Sequence, residues 1–373
     1  MNDHRKLENG LWYAELDGRN GAYELGKQSG TYFADVIIDN IAKMKRIYCE
    51  ICTPEELEQI LDTMESSRYL ADLKQYAPGL YDEMRGIADG CGASFKDIMM
   101  LNYLEEVPNA IGELHPAGCS AVSVTGRQGL PNMIFQNMDF TDAYEGFEAV
   151  YKIQLENKAI LMYGFVGQFG GIGVNSRGLG NTINVICNCP NNVGFGIPST
   201  ALLRLVLEQN SVAEAEELLR TLPCSTAGCY MVTDTESTAV FEVSPNKVVK
   251  ISAGDDGWLV HTNHAIATDD VVDVPGSFRG SEAIIREDGF TDFKTVERYD
   301  MLCKNVAENY ATLDVEDARA LLTTAPINVQ HGLMLGLDLS TLQSMIAVCD
   351  GENSCLYVGQ GMDPGRKYVK LSF

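Results

Sequence analysis

Positive charge is scarce in this chain. Against 52 Asp and Glu its 373 residues carry only 28 Lys and Arg, a net charge of −24. So acidic a surface repels phosphate backbones and anionic lipid, which excludes nucleic acid and membrane surfaces as partners. A long apolar run is also missing. The longest, Ala159 to Val174, contains Gln168, is crowded with glycine and is too short to span a bilayer. The opening MNDHRKLENGLWYAELDG has no apolar core of the kind a secretory leader needs. Eleven cysteines, an odd number, without such a leader lead us to expect reduced thiols in a cytoplasm, not a disulfide framework.

Several motifs are absent as well. There is no H-E-x-x-H, no P-loop and no G-x-S-x-G, and Gly171-Ile172-Gly173 lacks the third glycine of a dinucleotide fingerprint. Cys49-Glu50-Ile51-Cys52 has no second pair at finger spacing, and Cys187 and Cys189 are too close for a usual zinc pair. The five histidines (His4, His115, His261, His264, His331) read as structural. The expectation is no metal and no cofactor.

What is present is ordinary globular composition, 45% hydrophobic and 21% charged, with no repeat and no disordered linker. The first 118 residues read mostly as helices. Residues 21–48 carry apolar side chains at helical spacing. Thr53-Pro54-Glu55-Glu56 supplies a capping hydroxyl, a first-turn proline and a carboxylate, followed by an apolar face of Leu57, Ile60, Leu61 and Met64. PGLYDEMRGIADGCG predicts a further helix, and Ser94 to Asp97 the capped start of another. After residue 118 the texture changes to strands: SAVSVTG, PNMIFQNMDF, VYKIQL, AILMYGFVG and NTINVI. Two helices capped by Ser199 and by Ser211 with Glu214 follow. Four short strands over 229–262, a helical region over 294–322 and strands over 341–372 complete the chain. Grouped strands flanked by paired helices predict sheets stacked between helical layers, sharing one core with the first third.

The sharpest chemical position is Cys119 in HPAGCSAVSV, after a glycine and opening a strand. Gln136, Asn137 and Asp139 form a dense polar cluster on PNMIFQNMDF; Asn263 lies inside HTNH; Arg298 lies on a predicted helix in FKTVERYDML. Each has a plain alternative. Cys119 can be a small buried hydrophobe, Asp139 a turn residue, Asn263 part of a structural polar network and Arg298 a helix-surface ion-pair partner.

Together these segments resemble the penicillin acyltransferase family (acyl-coenzyme A:isopenicillin-N acyltransferase relatives), a branch of the N-terminal-nucleophile (Ntn) hydrolases. GAYELGKQSG resembles the family's opening glycine motif and PGLYDEMRGIADGCGASFKDIMMLNYLEE its pre-nucleophile helical block. Gly118-Cys119 matches the self-cleavage site, FQNMDF the strand with the essential Asp, HTNH the oxyanion motif and TLQSMIAVCDGENSCLYVGQG the closing strands. Met138 departs from the family, standing where an aromatic residue is often found.

The resemblance implies an α+β fold, a four-layer αββα sandwich cut autocatalytically between Gly118 and Cys119. The pieces would be 1–118, a helical α-chain in the same core, and 119–373, the β-chain. Cys119 would be the nucleophile and its freed α-amine the base, with a reference pKa of about 7.7–8.0. Asp139 would hold that amine, Asn263 would donate to the oxyanion, and Arg298 would favour the thiolate. Asn184 would be a second oxyanion donor and Asn175 part of the same pocket strand. The implied activity is hydrolysis of a small N-acyl amide or short peptide, with acyl transfer to an amine as the near rival. The cleaved α-chain would be the enzyme's own partner, and a homo-oligomer is compatible with the sequence. From other classes come a Cys–His hydrolase using His261, His264 or His331, and a binding protein without catalysis.

Overall fold

Thr53 starts a helix by the expected chemistry. Its hydroxyl accepts the Glu56 N–H at 3.2 Å while the Glu56 carboxylate accepts the Thr53 N–H at 2.8 Å, with Pro54 in the first turn. The computed structural model describes residues 5–111, 117–127, 129–186, 189–192, 194–272, 295–330, 332–334 and 337–373. His4, His115, Cys187 and His331 lie outside them.

The first third holds β1 (Trp12–Asp17), α1 (Ala22–Tyr32), α2 (Ala34–Tyr48), α3 (Pro54–Ser66), α4 (Arg68–Tyr76), α5 (Pro78–Cys91), α6 (Phe95–Asn102) and α7 (Glu106–Ile111). Two of the glycine-rich motifs turn out to be one contact. Gly26 and Gly30 of α1 lie against α5, and Gly86 and Gly90 of α5 lie against α1. A Cβ at Gly26 would overlap the Glu83 carbonyl, and one at Gly86 the Tyr23 carbonyl. The helices cross this closely because those four positions carry no side chain. The helical stretch over 21–48 breaks at Phe33, which is buried edge-on to Trp12 and Tyr151. Ser94 caps α6 as expected, accepting the Asp97 N–H at 3.1 Å.

Beyond residue 111 come β2 (Ala117–Val124), β3 (Asn132–Thr141), β4 (Glu148–Gln154), β5 (Ala159–Phe165), β6 (Ile172–Asn175) and β7 (Gly180–Val185). Then follow α8 (Ser199–Leu207), α9 (Val212–Thr221), β8 (Gly228–Thr233), β9 (Thr238–Val243), β10 (Val248–Ser252) and β11 (Trp258–His261). The last are α10 (Thr295–Asn309), α11 (Val315–Leu322), β12 (Gly332–Met334), β13 (Leu337–Cys349), β14 (Cys355–Gln360) and β15 (Val369–Ser372). Ser211 caps α9 through the Glu214 N–H, but Ser199 is the first residue of α8, after Pro198, and caps nothing.

The strands form two sheets. One is ordered β1-β4-β5-β6-β7-β8-β9-β10; the other is β11-β2-β3-β13-β14-β15 with β12 on β13. β1, unforeseen in a segment read as helical, closes the first sheet by pairing parallel to β4. α8 and α9 pack on the first sheet, and α10 and α11 on the second. The sheets face each other across the main apolar core, to which residues on both sides of Cys119 contribute. A second cluster, including Val122, Phe135, Leu302 and Leu322, seals α10 and α11 to the outer face. This is the four-layer αββα order that the sequence led us to expect.

Candidate active site

Strand alternation decides what each residue near Cys119 faces. Cys119, Ala121 and Ser123 of β2 point between the sheets, where Ser123 accepts from the Thr238 hydroxyl at 2.7 Å. Ser120, Val122 and Val124 point toward α10 and α11. β3 runs antiparallel beside them, with Met138 opposite Cys119 and Asp139 opposite Gly118. Gln136, Met138 and Phe140 therefore share the Cys119 face, and Asn137 and Asp139 share the Ser120 face. Gly118 and Cys119 lie inside β2, which begins at Ala117, and not at its mouth.

The polar groups converge on the Cys119 backbone. Its N–H donates to Asn263 Oδ1 at 3.0 Å, and its carbonyl oxygen accepts from Arg298 Nη1 at 2.6 Å. The same nitrogen of Arg298 reaches Ser120 Oγ at 2.8 Å, and Nη2 reaches Asn263 Oδ1 at 2.7 Å. Arg298, in the first turn of α10, is 1% exposed, so it is an interior clamp and not a surface ion-pair partner. Asn263 leaves the end of β11 and is fixed by its N–H on Thr295 Oγ1 (2.9 Å) and by Nδ2 on the Val185 carbonyl (3.1 Å). Asp139 accepts from the Thr341 hydroxyl at 2.6 Å through Oδ1, while its buried Oδ2 has no hydrogen-bond partner among the described residues.

Cys119, Glu105, Met138, Phe140, Phe165 and Ile172 line a narrow cavity of about 30 Å³ between the sheets. Burial pushes the Cys119 thiol far above its ordinary range; Asp139 and Glu105 add to this and Arg298 opposes it. Burial also raises Asp139 to about 6, against the pull of Arg298 and of the Thr341 hydrogen bond. Glu105, in the turn between α6 and α7, is raised to about 8 by burial and by its neighbour Glu106. Burial therefore favours the neutral thiol.

Asn184 is at hand: it is buried on β7, donates to the His261 carbonyl at 3.3 Å and lies at 3.5 Å from Gln136 Nε2. Asn175 is not. Its Nδ2 donates to the carbonyls of Leu207 and Gln209 (both 2.8 Å), and its Oδ1 accepts from the N–H groups of Arg177 (2.9 Å) and Leu179 (3.2 Å). Its side-chain amide is thus taken up by backbone groups at the end of α8 and in the turn after β6. His261 presents Nε2 to Glu242 Oε1 at 3.0 Å and Nδ1 to the Thr262 carbonyl at 2.8 Å, so both ring nitrogens are engaged. His264 contacts Thr262 and Thr295 and is held down at about 4, chiefly by burial, with His261 and Arg298 adding to it. His331 lies outside the described residues. Among the described residues no group of three or more His, Cys, Asp or Glu side chains is arranged to hold a metal, and no helix is long and apolar enough to cross a membrane. The ten described cysteines are free thiols.

Thr295, Thr341 and Glu105 escape sequence reasoning. Thr341 matters only through its register opposite Asp139, and Thr295 only through contacts across the fold. Glu105 did leave a signal, two adjacent acids inside the apolar run LNYLEEVPNAI shortly before Cys119.

The chain is similar to several known proteins. A family model described as acyl-coenzyme A:6-aminopenicillanic acid acyl-transferase matches residues 126–328, a span that contains Asp139, Asn184, Asn263 and Arg298 and begins after Cys119. The 40 kDa form of acyl-coenzyme A:6-aminopenicillanic-acid-acyltransferase from Emericella nidulans is 31% identical over 216 residues, 57% of this chain. That match spans 58% of the relative's length. Among solved structures, penicillin V acylase from Agrobacterium tumefaciens is similar with a TM-score of 0.46 at 13% identity, over 68% of this chain and 86% of that one. A variant of the conjugated bile acid hydrolase from Clostridium perfringens gives 0.45 at 15% identity, over 68% and 97%. The chain belongs to the acyl-coenzyme A:6-aminopenicillanic acid acyl-transferase family.

Proposed function

We propose that this protein is a self-processing Ntn enzyme that cleaves linear N-acyl amides through a thioester on Cys119. One observation carries the reading: the site grips the backbone of its nucleophile. Asn263 and Arg298 hold the N–H and C=O of Cys119, whereas neither His261 nor His264 has a hydrogen bond to its thiol. A conventional Cys–His hydrolase needs the reverse, an imidazole on the sulfur and no special hold on the main chain.

After cleavage at Gly118–Cys119 the α-amine of Cys119 is nucleophile-adjacent and titrates near neutrality, with a reference pKa of about 7.7–8.0. Its neutral form takes the thiol proton, and the thiolate attacks the acyl carbonyl. A side-chain amide nitrogen carries two protons, so Asn263 Nδ2 keeps one for the oxyanion while the other rests on the Val185 carbonyl. Asn184 stands beside it as a second donor. Asp139, buried opposite Gly118 with one unsatisfied oxygen, suits the ammonium that forms. The amine product leaves, and water opens the thioester.

Met138, Phe140 and Phe165 give the narrow cavity an apolar wall, the chemistry that an apolar acyl group would contact. Hydrolysis needs only water. The family description favours a second reading, transfer of the acyl group to an amine. Its substrate would be a small N-acyl amide or short peptide, its own N-terminal chain would remain bound, and a cytoplasm would keep the thiols reduced. Intact mass tests the core of this: wild type should give two polypeptides and Cys119→Ala one. An uncut wild type that still hydrolyses amides overturns the mechanism. Product partition with added amines separates hydrolysis from transfer.

A further inference from the structure

The base that serves turnover does not exist before the first cut. In the intact chain the Cys119 nitrogen is an amide donating to Asn263 Oδ1 at 3.0 Å, and an amide nitrogen has no basic lone pair for a thiol proton. Self-cleavage therefore requires another acceptor. The pleat sends Cys119 and Asp139 to opposite faces of their sheet, and Asp139 does not line the cavity that Cys119 enters. Glu105 does line it, from the turn that leads toward the cleavage site, and it is fully enclosed.

We propose that Glu105 accepts the Cys119 thiol proton in self-cleavage and returns it to the departing Cys119 nitrogen. The inference rests on the self-processing reading above and adds a residue to it. The balance is as follows. The Sγ–H proton passes to the Glu105 carboxylate, and sulfur attacks the Gly118 carbonyl carbon. The C–N bond breaks as the Glu105 proton moves to nitrogen, leaving a Gly118 thioester on Cys119 and a regenerated carboxylate. Water then adds to that carbonyl, giving the Gly118 carboxyl and the free thiol. Only the ionised carboxylate can start this.

Cys119 shares the cavity with Glu105, and the titratable groups within range of its charge are Glu106, Tyr48 of α2, Tyr144 after β3 and Tyr230 of β8. Burial and Glu106 hold Glu105 up at about 8, a better match for a reluctant thiol than Asp139 at about 6 beside Arg298.

The test uses the Cys119→Ser chain, whose hydroxyl slows the cut so that precursor can be purified and its maturation followed by mass. Serine does not titrate in this range, so the pH profile reads the base alone. The cleavage rate should rise with pH and level off above about 8, and adding Glu105→Gln should slow it by about 100-fold or more. A folded Glu105→Gln chain that matures within about threefold of its parent overturns the assignment. Should that variant fail to fold, the parent profile decides: a flat profile overturns it, and a midpoint near 6 that disappears in Asp139→Asn overturns it in favour of Asp139. A wild-type chain that stays whole at every pH overturns both this inference and the self-processing reading. Normal wild-type cleavage with an unaffected Glu105 variant overturns this inference alone.

Discussion

Arg298 donates to the carbonyl oxygen of Cys119 at 2.6 Å across 179 residues of sequence. Its other nitrogen holds Asn263 Oδ1, the atom that also accepts the Cys119 N–H. One guanidinium thus ties β2 to the loop that carries Asn263. The planar fork suits this, since it presents two nitrogens at a fixed spacing, Nη1 to Cys119 and Ser120 and Nη2 to Asn263, where an ammonium has only one.

Arg298→Lys should therefore behave as a severe change although charge is kept. It leaves buried acceptors short of a donor, at about 1–3 kcal/mol each. The expected loss in kcat/KM is about 10- to 100-fold, with slower maturation by intact mass. Retention of wild-type kcat/KM in the lysine variant would mean that the clamp is not functional.

Asn263→Ala should lower kcat by about two to three orders of magnitude, because one oxyanion donor is lost. Steady-state kinetics on a processed, folded sample reads this directly. Near-normal turnover would transfer the role to Asn184.

What the sequence makes legible is whatever depends on local chemistry. The capping box at Thr53, the cap at Ser94 and the strand alternation that separates Met138 from Asp139 are written in neighbouring residues. So were the glycine motifs, but not their meaning: that Gly26 and Gly86 belong to one helix crossing is a tertiary fact. β1 was hidden because WYAELD is short and lies among helices, and it becomes a strand only by pairing with β4. Asn175 shows a tertiary fact of another kind. Its place beside the Asn184 strand looked chemical, yet the turn after β6 and the end of α8 use its entire amide.

Asn175→Ala should accordingly separate stability from chemistry. Four backbone groups lose a partner, and unmet buried groups cost about 1–3 kcal/mol each. Thermal unfolding should shift down by several degrees while kcat/KM of the folded fraction stays at the wild-type value. A stable variant with impaired KM would restore Asn175 to the pocket.

The identity of the turnover base can be read from pH. An amine must be neutral to take the thiol proton, so kcat/KM should rise with pH through one ionisation between about 6 and 8.5. A histidine could mimic the curve, and His261, His264 and His331 are each replaced by Gln to test this. With both nitrogens of His261 engaged and His264 on Thr262 and Thr295, the acidic limb should survive. Loss of the limb in any folded, processed variant makes the Cys–His hydrolase the better reading.

Stability should respond to pH through groups outside the chemistry. Burial raises Glu148 from 4.5 to about 7; its Oε2 accepts from Gly146 and Gln360, and its Oε1 has no partner among the described residues. A raised carboxyl favours folding while it is protonated. That contribution is complete below 4.5 and is lost as pH rises through about 7. His264 works in the other direction. Its folded value is depressed from 6.5 to about 4, so the unfolded chain binds the proton first, and stability is lost as pH falls across that interval. Between 4.5 and 6.5 the two contributions therefore oppose one another, and their effects on the midpoint of thermal unfolding offset. Relative to wild type, Glu148→Gln should make the midpoint climb with pH over that interval, and His264→Gln should make it decline. If the two single variants keep the wild-type profile, these groups titrate alike in the folded and unfolded chains, and their burial has been misjudged.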